Sequence, residues 1–173
     1  MNTLQLDKYA KDARTWRDFA TMEYTASIAL FRSGNPFVFF AAATLGHHSL
    51  EMYLKAALIN TGMTIFNPAR VKFLSPGTAL AQADCAWGHV LVDLADALAL
   101  RRNEFDLTEK LDLPQLLTIS TPKTVREGLE LFDPFFSELR YPQALNNVQG
   151  IGDEEQFVLD RLVAILDPFA IHT

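Results

Sequence analysis

A single cysteine, Cys85, excludes an intrachain disulfide, so whatever holds this chain together is packing rather than cross-linking. Basic residues are also in short supply: 15 Lys and Arg stand against 21 Asp and Glu, giving a net charge of −6 and a pI near 5.1. Broad affinity for nucleic acid needs clustered Lys and Arg against the phosphates, so sequence-specific DNA recognition is not expected, although one local basic pocket is still compatible. No Pro/Gly/Ser-rich linker divides the 173 residues, and no internal repeat is present, which predicts one domain over residues 1–173. Strand-like alternation of useful length is missing as well. The N-terminal stretch MNTLQLDKYAKDAR is charged and lacks an apolar signal core, so a cytoplasmic location is the expectation.

What the chain has instead is apolar bulk. It is 49% hydrophobic and only 21% charged, with thirteen Phe, a globular composition that points to bulky packing between helices. Residues 36–61, PFVFFAAATLGHHSLEMYLKAALINT, contain only two charges, Glu51 and Lys55. Asn35 suits an N-cap, Pro36 the first helical position and Gly62 the residue just past the C-terminus. Apolar side chains cover nearly the whole circumference, so this segment is predicted to be the buried spine of an α-helical domain. It is long enough to cross a bilayer, but Glu51, Lys55 and two histidines would then lie inside the span, where charge is costly. No membrane association is expected.

The remaining pattern is helical throughout. Residues 7–33 place Tyr9, Ala13, Trp16, Ala20, Tyr24, Ile28 and Phe31 at three-four spacing. Gly34 ends that helix, and the short connection to the spine requires an antiparallel αα-hairpin. Residues 62–86, with Pro68, Pro76 and Gly77, read as a long loop. A third helix is predicted over residues 87–102, with Val90, Leu91, Leu94, Ala95 and Leu98 inward, and a short helix over residues 108–119. Thr121-Pro122 reads as an N-cap and first-position pair opening a helix to about Arg140, kinked at Pro134 and closed by Tyr141-Pro142. A last helix is predicted from Glu154 to about Phe169, with Asp153 as its cap.

Several polar residues are candidates for chemistry. Glu51 and Lys55 have the i,i+4 order that favours an ion pair, and apolar surroundings make each charge need further partners. They form either an internal salt bridge completed by a neighbouring helix or by Arg140, or a site in which Lys55 meets a phosphate or carboxylate. His47 and His48 point about 100° apart on a helix and are poorly placed to chelate one metal. His47 with Glu51 supplies two ligands at most, and no metal or other cofactor is predicted. Cys85 and His89 are four residues apart, yet nothing marks an oxyanion hole or an orienting third residue. Gly88-His89 reads as a helix start. Arg140 and Tyr141 fall at a helix C-terminus, and Arg101-Arg102 at another.

The segments HHSLEMYLKAALI, GHVLVDLADAL and ELRYP, in that order over roughly residues 7–141, resemble the HEPN family of small α-helical domains. The resemblance implies an all-α, up-and-down bundle of about five helices built on a long antiparallel hairpin. It further implies frequent homodimers, association with nucleotides or RNA, and in many members a nucleotidyltransferase-like partner protein in toxin–antitoxin or stress-response systems. Active members are ribonucleases with an R-x4-6-H motif, whose arginine binds the scissile phosphate and whose histidine handles protons. Here the positions after Arg140 are Leu145, Asn146 and Asn147, and no other arginine has a histidine at that spacing. The expectation is therefore a non-catalytic module that binds a nucleotide-like or anionic ligand, or a protein partner. The matching positions Glu51, Lys55, Gly88, His89, Arg140 and Tyr141 form its core, with His47 and His48 beside them. Two alternatives stand next to it. One is a divergent, metal-independent ribonuclease using Arg140 with His89 or His47. The other is an interaction protein in which Glu51–Lys55–Arg140 is only a buried network.

Overall fold

The computed structural model describes residues 12–64, 88–114, 121–137 and 154–171. These form an all-α bundle: α1 (Ala13–Arg32), a 3-10 turn (Pro36–Val38), α2 (Phe39–Ile59), α3 (Leu91–Ala99), α4 (Val125–Phe132), α5 (Pro134–Ser137) and α6 (Glu154–Ala170). Among the described residues there is no β-strand; an isolated antiparallel bridge joins Lys110 and Thr124.

Helix α1 begins at Ala13, where Asp12 accepts from the Thr15 amide and hydroxyl and so caps the first turn; the part of the predicted helix before residue 12 lies outside the described residues. Its end and the start of the spine follow the expected punctuation. Gly34 takes φ +64°, and the Asn35 side chain accepts from the Phe37 amide at 3.0 Å with Pro36 behind it. Gly62, at φ +90°, closes α2.

The spine is buried on nearly all sides, as its uncharged sequence requires, and touches α1, α3, α4, α5 and α6. Against α1 it forms the antiparallel hairpin. Small residues allow the two backbones to approach, and two buried hydroxyls tie them: Ser27 Oγ donates to the Ala42 carbonyl at 2.7 Å and Ser49 Oγ to the Ala20 carbonyl at 2.8 Å. Leu50, Leu54 and Leu58 on α2 then pack with Leu94 and Leu98 of α3, Leu129 of α4, and Leu159 and Leu162 of α6 in one core. Each such leucine contributes about 1.5–3 kcal/mol of burial free energy. Phenylalanine fills one end: Phe39 meets Phe31 at 5.7 Å and Phe135 at 6.0 Å, both edge-on. Helix α6 is held to α1 by polar contacts. Arg17 makes a two-pronged pair with Asp167 at 2.7 and 3.0 Å, and the Tyr24 hydroxyl donates to Asp160 at 2.7 Å.

Three boundaries differ from the sequence reading. The third helix starts at Leu91, not at residue 87: Gly88 sits at φ +122° and His89 in a bend, and Val90 is half-exposed rather than inward. Its cap comes from far along the chain, where Asp133 accepts from the Leu91 amide at 2.6 Å and the Val92 amide at 3.4 Å. The helix expected after Thr121-Pro122 is instead capped by Thr124, whose hydroxyl accepts from the Glu127 amide while Glu127 reaches back to the Lys123 amide at 2.6 Å. Residues 108–114 hold a turn and an extended stretch, not a helix, because the Leu111 amide donates to the Lys123 carbonyl and the Val125 amide to the Glu109 carbonyl. Pro134 interrupts the following helix at Asp133, as expected of a residue without an amide donor. Cys85, Arg140, Tyr141, Asp153 and residues 65–87 lie outside the described residues.

Candidate functional site

Where α2 meets the approach to α3 and the α4–α5 break, the fold assembles four of the predicted polar residues. Glu51 and Lys55 face the same way on the spine, one turn apart, and Lys55 Nζ lies 2.6 Å from Glu51 Oε1. Both are buried, with relative exposures of 2% and 4%. The ammonium also sits 5.8 Å from the centroid of the Trp16 ring on α1, a cation–π distance that helps replace its lost water. Lys55 is thus turned onto Glu51.

His89 completes the chain from outside. Its Nδ1 lies 3.1 Å from each oxygen of the Glu51 carboxylate, while its side chain is 49% exposed. Burial alone raises a carboxyl pKa. At Glu51 that effect is outweighed by the charge and hydrogen bond of Lys55, then by those of His89, and the group is held below the usual carboxylate range. An ionised carboxylate only accepts, so Nδ1 carries the hydrogen and the second ring nitrogen, Nε2, is the one left for a partner. The result is a relay that ends at the surface: buried cation, buried carboxylate, half-exposed imidazole.

Phe136 of α5 fixes the ring planes. The His89 ring stacks on it at 4.5 Å and 22°, and the His47 ring at 5.4 Å and 17°. His47 is 1% exposed, and its Nε2 has no hydrogen-bond partner. The nearest carboxylate oxygen is Asp133 Oδ1 at 3.8 Å, beyond hydrogen-bond reach and already bonded to the Leu91 amide. His48 does not join this group. It lies on the outer side of the hairpin, with Nδ1 2.9 Å from Glu23 Oε1.

Asp133 is the residue that sequence reasoning missed. It joins three elements, ending α4, capping α3 and approaching His47. The only sequence signal for it was its place before Pro134, and nothing local reveals that its acceptors serve a helix some forty residues earlier. Beyond it, Asp93 in the first turn of α3 has its pKa raised by burial and by the nearby Asp133 and Asp96 carboxylates. Asp96 itself is paired with Arg126. Among the described residues no group of three or more His, Cys, Asp or Glu is arranged to hold a metal ion. No helix among them is long and apolar enough to cross a membrane.

No protein-family model, curated protein or solved structure matches this chain.

Proposed function

We propose that this chain is a HEPN-like helical binding module, and that its ligand is a nucleotide-like or other anionic group contacted by His89. The observation that carries this reading is the Lys55–Glu51–His89 relay. A fold gains little from burying a lysine and a glutamate together, since an apolar pair of similar volume is often as stable. Here the buried pair ends on an imidazole held at one nitrogen, fixed in plane by Phe136 and open at the other nitrogen. Such an imidazole presents a pre-oriented hydrogen-bonding group at no further cost in side-chain entropy. Lys55 neutralises Glu51 behind it, so an approaching anion meets a carboxylate already compensated. A homodimer and a nucleotidyltransferase-like partner protein belong to the same reading through the family resemblance, and the genes neighbouring this one test the partner directly.

Differential thermal denaturation against a panel of mononucleotides and short single-stranded RNAs tests it. At least one compound raises the midpoint of the wild-type protein and leaves His89→Ala unmoved. A panel that shifts neither protein defeats the reading.

A second reading, a divergent ribonuclease, is favoured by one feature: a carboxylate-bound imidazole with its other nitrogen exposed is also the arrangement of a general base. Incubation with labelled single-stranded RNA separates the two. Cleavage that disappears in His89→Ala selects the enzyme, and intact RNA with bound ligand selects the module.

A further inference from the structure

Resting on the reading just given, we propose that ligand binding at this site is proton-linked: the anion is taken up only with His89 as imidazolium, so binding brings a proton with it.

Lys55 is 4% exposed and spent on Glu51. Arg126 is spent on Asp96. The Leu91 and Val92 amides at the start of α3 are occupied by Asp133. Among the described residues of this site, that leaves His89 as the group facing outward. Its Nδ1–H is committed to the ionised Glu51, which fixes the tautomer of the neutral ring: Nε2 then carries a lone pair and repels an anion. Protonation converts the same atom into a charged donor. An anion bound at Nε2 stabilises the imidazolium. Ligand and proton therefore favour each other, and by thermodynamic reciprocity each raises the affinity for the other by the same factor.

Among the described residues, ionisable groups stand on each element that meets at this site. On α2 they are Glu51, Lys55 and His47; in the first turn of α3, Asp93; between α4 and α5, Asp133. His47 is enclosed, so it offers no competing contact to a ligand.

A suitable probe must not titrate itself. Uridylyl-uridine, whose phosphodiester keeps a single negative charge across the neutral range, meets that condition; a phosphomonoester does not. Titration calorimetry of the whole chain is run between about pH 5.5 and 8.5, the span in which imidazoles change charge, and at one pH in two buffers of different ionisation enthalpy. The expected result is an affinity that falls toward tenfold per pH unit at the alkaline end, with net uptake approaching one proton. His89→Gln, whose amide donates at any pH, binds more weakly and with flat pH dependence. Flat binding by the wild type overturns the linkage and leaves the binding reading standing. So does an alkaline rise, or a pH dependence that persists in His89→Gln. Absence of binding at every pH removes both.

Discussion

At the residue scale the decisive feature is that Lys55 and Glu51 are worth more to each other than to the fold. Removing one strips the other of its buried counter-ion, which costs about 3–5 kcal/mol for a buried pair. Lys55→Met is therefore expected to lower the urea-unfolding free energy by an amount of that order, and Glu51→Gln likewise. The double substitution should lose clearly less than the sum, because no uncompensated charge remains. Additive losses would mean that the two side chains stabilise the protein separately. A pH dependence follows from the same pair. The Glu51 carboxyl ionises more readily folded than unfolded, so its contribution is complete above its ordinary pKa of 4.5 and is lost as pH falls through the lower folded value. Acid unfolding of Glu51→Gln should accordingly be shallower below that point than that of the wild type.

At the scale of elements, the hairpin was legible and the cap of α3 was not. Asn35, Pro36, Gly34 and Gly62 are local signals whose meaning depends on a few neighbouring residues, and each occupies the place expected of it. The start of α3 depends on Asp133, a tertiary contact that no window of local sequence contains. Asp133→Ala should therefore weaken a helix remote in sequence: a loss of about 1–2 kcal/mol, as for other capping residues, with amide exchange rising first at Leu91 and Val92. Unchanged exchange there would contradict the capping role. Packing gives a second case. A side chain at Gly46 would bring its Cβ to 3.0 Å from Phe132 and 3.1 Å from Leu159, where α2 crosses α4 and α6. Gly46→Val is expected to cost about 1–3 kcal/mol by overpacking, measured by chemical denaturation. The α1–α6 tie sets a limit at high pH. Burial, then the hydrogen bond to Asp160, pushes the Tyr24 hydroxyl up to about 12. Its contribution is complete below its ordinary pKa of 10.0 and is lost as pH rises through the folded value. Tyr24→Phe should therefore show a weaker alkaline loss of stability than the wild type.

For the whole molecule, composition and hydrophobic period carried the all-α class and the enclosed spine, because burial of a nearly uncharged helix leaves few other architectures. The candidate site was legible in part. Glu51 and Lys55 announce themselves by their i,i+4 spacing in an apolar run, and His89 was named as a companion on another element. What the sequence did not contain was direction. Spacing alone leaves Lys55 free to face a pocket or its own carboxylate, and burial places it on the carboxylate, moving the outward role to His89. The stack of His47 and His89 on Phe136 was also invisible, since it brings together residues from three separate segments.

The central claim is that His89, held by Glu51 and open at Nε2, is the contact point for an anionic ligand. The most direct measurement is a long-range proton–nitrogen NMR spectrum of the histidine side chains, recorded as uridylyl-uridine is added near pH 6. The predicted result is a saturable shift of the His89 Nε2 resonance, with His48 Nε2 unmoved and the whole response absent in His89→Gln. Saturable binding of the dinucleotide with every His89 resonance unchanged would contradict it.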